Sequence, residues 1–179
     1  MNSHEKGFEA SLEHYQNRIR KKGGNFYWHR PHKPKWAKGE LPCDFWFFDE
    51  SFVALELKYR NGTRISKSQI KEHQIKTLQH FAKYKCRSYL VVSFNFQKKL
   101  TPALADNFAV NIIDAINYFD NQKNNVLRLE DYKLWKGIEL TWKPRSNSYN
   151  LDPIMLPKNR IFNARKKRSS KVRSFKNNL

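Results

Sequence analysis

"CDFWFFDESFVALELKYR", residues 43–60, is the stretch on which the reading of this chain turns. "CDFWFF" (43–48) and "SFVALELKY" (51–59) are apolar, aromatic and β-branched, the composition of strands, and Asp49-Glu50 between them reads as a hairpin turn. Ala54, Leu55 and Leu57 suit a buried strand. Glu56 and Lys58 stand two apart, so a strand points both to one face. Asp44 opens the first strand, and an antiparallel hairpin turning at 49–50 brings it near Glu56 across the ladder.

Two converging carboxylates repel each other, and would repel a polyanion as well. A divalent cation between them removes the conflict, since Mg²⁺ takes hard oxygen ligands, commonly one or two carboxylates completed by water and substrate phosphate. Such an ion acidifies a bound water and neutralises charge on a reacting phosphate. Lys58 would hold that water and stabilise developing negative charge. Spacing alone also fits a cross-strand salt bridge on the surface. The basic character of the chain and the apolar residues around the set favour the site.

At 179 residues the chain can bury one good core. Its hydrophobic share of 39%, with 15% aromatic, is too apolar for a fully disordered chain. Thirty-five Lys and Arg against sixteen Asp and Glu leave a formal charge of +19. An excess this large opposes compaction and points to a polyanionic partner, nucleic acid before anionic membrane or acidic protein. No apolar run approaches the roughly 18 residues of a membrane helix. "MNSHEKGFEASLEHY" lacks the apolar centre of a signal peptide. Cys43 and Cys86 have no C-x-x-C spacing and are expected as reduced thiols of a cytoplasmic protein. His29, His32 and Cys43 lack the paired spacing of a zinc set.

Phe8, Leu12, Tyr15 and Ile19 recur at helical spacing, which predicts a helix over 5–21 ended by Gly23-Gly24. Residues 25–42 are basic, aromatic and proline-punctuated, and read as an extended arm whose start suits a strand. Ile70, Leu78 and Phe81 predict a helix over 67–83, with Ser66 or Ser68 as N-cap and Gln74 on its apolar stripe. "RSYLVVSFNF" (87–96) is a core strand, "AVNIIDAINYFDNQ" (109–122) a strand entering a helix, and "GIELTWKP" (137–144) a short edge strand. From Pro157 the composition changes to nine basic residues and no acidic one. Residues 1–156 are therefore expected as one domain and 157–179 as a phosphate-binding tail. The order helix, strands, helix, strand predicts an α/β core, a mixed central sheet flanked by helices.

Asp-x₁₁-Glu-x-Lys resembles the pattern of the PD-(D/E)xK nuclease superfamily, whose core is restriction-endonuclease-like. Together with "KGFEASLEHYQNRI" and "ISKSQIKEHQIKTLQHF", the hairpin resembles the RecU family of Holliday-junction resolvases over roughly residues 5–156. The family's helix acid, strand Asp, Glu-x-Lys and His-Gln pair match Glu9, Asp44, Glu56, Lys58 and His73-Gln74. The resemblance implies a homodimeric endonuclease, dependent on Mg²⁺, that cuts four-way or otherwise branched DNA in a bacterial or phage-infected cell; whether Mn²⁺ substitutes is left open. Asp44, Glu56 and the Leu57 carbonyl would hold the metal, Lys58 would serve the water, Gln74 would orient Lys58 or the water, and Glu9 would support the metal's water shell. Glu13, one turn on, competes for that last role. The family's segment before the strand Asp is longer and builds a stalk, so junction preference is open here.

DNA contacts are expected from Trp28, Arg30, Lys33, Lys35, Trp36 and Lys38 of the arm, from Arg145, and from Arg165, Lys166, Lys167 and Arg168 of the tail. Aromatics can stack on exposed bases while cations hold the backbone. Trp28 and Trp36 equally suit caps on the core, Gln74 a buried amide bonded to backbone, and Glu9 a charge favoured by the helix dipole. His73 fits packing or phosphate binding. A restriction-like or structure-nonspecific nuclease, and a DNA-binding protein without catalysis, are the rival functions.

Overall fold

The computed structural model of the chain describes residues 3–32, 41–48, 51–95, 105–122 and 125–155. Helix α1 (Ser3–Lys21) is followed by β1 (Tyr27–His29), β2 (Phe45–Phe48), β3 (Phe52–Asn61) and β4 (Arg64–Ser66). Then come α2 (Glu72–Lys83), β5 (Arg87–Asn95), β6 (Ala105–Asn111), α3 (Ile112–Asn121) and β7 (Val126–Arg128). The short strands β8 (Ile138–Glu139), β9 (Trp142–Lys143) and β10 (Ser148–Tyr149) close the described chain. Six strands form one mixed sheet in the order β1-β2-β3-β5-β6-β8. Only β3 and β5 pair in parallel within it. Parallel neighbours need a long crossover, and α2 supplies it. The expected α/β core with helix-flanked mixed sheet is what the chain forms.

Strand alternation divides the core into two layers. Val53, Leu55, Val91 and Ala109 face α1, where Phe8, Leu12 and Tyr15 bury the stripe read from the sequence. Ala54, Leu90, Val92, Phe94, Phe108 and Val110 face the other way, onto Leu78 of α2 and Ile112, Ala115 and Phe119 of α3. The end of α1 is set at Gly23, whose φ of 69° lies in the left-handed region that favours glycine at a helix C-terminus.

Three expectations shift. The single helix over 67–83 is instead a 3₁₀ turn (Lys67–Gln69) and α2 from Glu72. Each start has its own amide side chain: Gln69 Oε1 accepts from Ser66 N–H at 3.0 Å, and Gln74 Oε1 from Lys71 N–H at 3.2 Å. Between them Ile70 turns extended and is buried. Ser66 therefore caps the turn, and Lys71 is the N-cap of α2. The strand before α3 begins at Ala105, because Asn107, a poor strand former, is buried by a 2.6 Å bond from Ser93 Oγ to its Oδ1. "GIELTWKP" divides: β8 is the far edge of the main sheet, while β9 pairs with β10. Asp49-Glu50 lies outside the described residues.

Buried Ser11 ties α1 to β10. Its Oγ donates to Gly7 O and accepts from Tyr149 N–H, both at 2.6 Å. Ser11→Ala strands a buried N–H, and we expect a loss of about 1–2 kcal/mol in urea unfolding. An unchanged midpoint would mean that water replaces the hydroxyl.

Candidate active site

The β2–β3 ladder runs from Phe48↔Phe52 to Phe45↔Leu55, and Asp44 lies just past its end. Asp44 N–H donates to Leu55 O at 3.1 Å, and Leu57 N–H returns a 2.7 Å bond to Asp44 Oδ2. The carboxylate is thereby fixed to the backbone of β3. On β3, Glu56 and Lys58 continue the face of Ala54, the face that α2 covers. Glu56 is 1% exposed, the most deeply buried acid among the described residues. Its Oε1 accepts from Lys58 Nζ at 2.7 Å, and Lys58 Nζ also donates to Gln74 Oε1 at 3.0 Å. Gln74 is placed by the start of α2, where its Oε1 accepts from Lys71 N–H as well. Asp44, Glu56, Lys58 and Gln74 thus meet in one constellation drawn from two strands and a helix.

Its electrostatics follow from burial. Desolvation pushes the Glu56 carboxyl up to about 7, the Asp44 charge pushes the same way, and Lys58 opposes both. Asp44 is also raised by burial, against the pull of the Leu57 N–H. Cys43, two residues before Phe45, is pushed up to about 12 by burial and then by the Glu56 and Asp44 charges, which keeps it an inert thiol. Glu56 Oε2 is buried with no hydrogen-bond donor, and the carboxyl lies within reach of a second one, Asp44. A shared proton or a cation would satisfy that arrangement.

These groups fit a hard divalent ion, with Asp44, Glu56 and the Leu57 carbonyl as the donors that could hold it. Among the described residues no three His, Cys, Asp or Glu side chains are grouped to hold a metal. Backbone, water and phosphate oxygens would have to complete the set. The charge of Glu5, on the first turn of α1, also raises the Asp44 carboxyl. Glu9, expected to support a metal's water shell, is half-buried one turn further along α1, and Glu13 is exposed. Glu5 was legible in principle: positions 5, 8, 12, 15 and 19 form one helical stripe, and its first member is charged. Arg30 Nη2 binds Glu5 Oε2 at 2.6 Å.

The remaining expected residues scatter. Trp28 is half-buried with its ring 6.3 Å from that of Phe45, so it caps the α1-side core. The Arg30 guanidinium lies over the Phe45 ring at 5.6 Å. Arg145 is exposed in a 3₁₀ turn, and His73 is half-buried beside Gln74. Lys33, Lys35, Trp36 and Lys38, like Arg165, Lys166, Lys167 and Arg168, lie outside the described residues. No described helix is long and apolar enough to cross a membrane.

The structure is similar to that of Hjc, a Holliday junction resolvase from the archaeal hyperthermophile Archaeoglobus fulgidus. The match covers 72% of this chain and 93% of that one, at 15% identity and a TM-score of 0.43. A likeness this remote carries nothing about activity. No protein-family model matches the chain, and no curated protein matches it.

Proposed function

We propose that this chain is a Mg²⁺-dependent endonuclease that hydrolyses phosphodiester bonds in branched DNA, four-way junctions included. The observation that carries the reading is the buried Glu56, with one oxygen on Lys58, the other buried without a donor, and the Asp44 charge near enough to raise its carboxyl. A structural salt bridge needs no second acid there. The resemblance to RecU supplies the branched substrate, and the +19 charge supports a DNA partner.

Asp44, Glu56 and the Leu57 carbonyl would hold Mg²⁺ or Mn²⁺. When bound, the ion supplies charge neutralisation at the phosphate and a more acidic water. Lysine carries three N–H donors. Two of those on Lys58 go to Glu56 and Gln74, and the third can reach a phosphate oxygen or the attacking water. Gln74 fixes the direction of that third donor, since its own oxygen is anchored at Lys71 N–H. The Leu57 N–H holds the Asp44 carboxylate to the backbone of β3 at 2.7 Å. A two-fold dimer would present two such sites to opposite strands of a symmetric junction.

The test is cleavage of four-way, flap and linear duplex substrates at equal concentration, with Mg²⁺, Mn²⁺ or EDTA. Junction cutting that needs the cation is expected. Equal rates on all three substrates would remove the branched specificity, and no cutting with either cation would remove the nuclease. Binding should also weaken by about 10³-fold or more between 50 and 200 mM salt, as measured by anisotropy with EDTA present. A flat salt response would exclude phosphate contacts as the main source of affinity.

A further inference from the structure

Alternation along β2 puts Phe45 and Phe47 into the α1-side core and turns Trp46 and Phe48 to the opposite face. The β1–β2 register sets His29 beside Trp46 and Tyr27 beside Phe48. Those four rings therefore share the sheet face of Asp44, Glu56 and Lys58. Helix α2 packs on β3 and β5 of this face. Its cover reaches outward through Phe81, 5.1 Å from Phe52, and Trp46 packs on Phe52 in turn at 5.7 Å. Beyond that point no described residue covers the face: Tyr27 is 61% and Phe48 48% exposed, and His29 is exposed with its ring 5.1 Å from that of Trp46.

Same-face positions on a strand lie about 7 Å apart. Asp44, Trp46 and Phe48 thus form a row leading away from the acids, in steps close to one unstacked nucleotide. Resting on the nuclease reading above, we infer that Tyr27, His29 and Phe48 form a shelf on which unpaired bases of the cut strand stack, next to the scissile phosphate. The chemistry suits that occupant. Flat rings take any base face without reading sequence. The row is continuous with the acids and lysine proposed to act on phosphate, and the chain's +19 charge holds the backbone of the same strand. The shelf would make recognition depend on unpaired bases instead of on a stalk. The competing occupant is a second copy of the chain laid along the open edge of β1.

The test uses the full chain in EDTA and a DNA branch carrying 2-aminopurine at an unpaired position beside the branch point, against the same sequence fully paired. Wild type should quench the unpaired probe and bind the branched DNA more tightly than the paired one. The double variant Tyr27→Leu/Phe48→Leu keeps apolar area but loses the rings. It should lose the quench, and its advantage for the unpaired substrate should fall by about tenfold or more. Tyr27→Phe/Phe48→Tyr should retain both. Quench and advantage that persist in the leucine variant would overturn the shelf. So would a wild-type protein that shows no quench and whose leucine variant changes mass in sedimentation, which would assign the patch to self-association. Cleavage of the same DNAs in Mg²⁺ separates the two readings. Quench without cutting removes the nuclease and leaves the shelf, while cutting without quench removes the shelf alone.

Discussion

Lys58→Ala and Asp44→Asn should each bind branched DNA and fail to cut it, with single-turnover rates in Mg²⁺ reduced by about 10²–10³-fold for the lysine. For Asp44→Asn the reduction should be at least about 10³-fold, because a cation ligand is removed along with its charge. Both variants should fold. Asparagine at position 44 keeps a carbonyl oxygen for the Leu57 N–H, so the 2.7 Å bond that orients the side chain survives. Alanine at position 58 takes the donor from Glu56 Oε1 and leaves Gln74 bonded to Lys71 N–H. Binding should persist in both, since phosphate contacts carry the affinity. The Asp44→Asn variant should bind at least as tightly as wild type, a negative charge near phosphate having gone. Either variant cutting at the wild-type rate would place the active centre elsewhere in the chain.

The metal-free protein should lose stability as pH rises from about 5 to 8, and Glu56→Gln should remove most of that loss. The folded state holds the Glu56 proton up to about 7, against an ordinary value of 4.5. Between those values the folded chain binds more protons than the unfolded one, so stability falls with rising pH. Below the lower value the group contributes no deficit; above the upper one the deficit is complete, at about 3 kcal/mol. Asp44, also raised, adds in the same direction. Denaturant melts in EDTA at pH 5 and pH 8 read the difference. Wild type and Glu56→Gln should coincide at the lower pH and separate at the higher, the variant being the more stable. Mg²⁺ at pH 8 should raise the wild-type midpoint and leave that of Asp44→Asn in place. Parallel curves for wild type and Glu56→Gln would show that Glu56 is not forced to ionise in a dry setting.

Burial of the two acids is an inefficient way to make a stable sheet. A buried carboxylate beside another is destabilising unless something of opposite charge is supplied. Lys58 supplies part of it and is itself partly drawn off by Gln74. The charge placed at this point of β3 is the physical reason to look there for chemistry, since the other buried polar positions of the sheet, Ser88, Ser93, Asn95 and Asn107, are uncharged.

Much of this was written in local pattern. Period-two alternation along the strand put Glu56 and Lys58 on one face, the 8–19 stripe placed α1 on the core, and the apolar run read at 87–96 became a central strand over 87–95. Alternation and helical periodicity are imposed by backbone geometry within a few residues, so they can be read without knowing the partner surfaces. Where two reasonable readings competed, packing chose. Trp28 sits on Phe45, and Arg30 is taken by Glu5, twenty-five residues away. The helix over 67–83 breaks because Ile70 is drawn into the core between two amide-capped starts.

The sequence by itself determined the α/β layering, the placement of Glu56 and Lys58 on one face and the nearness of Asp44, because each depends on strand geometry and a short hairpin. Only the tertiary structure decided how Gln74 reaches Lys58, that the Glu5 charge is felt at Asp44, and that Tyr27 and Phe48 stay exposed. Those outcomes depend on where α1 and α2 come to rest on the sheet. That is a balance of burial summed over many side chains, and no local stretch contains it.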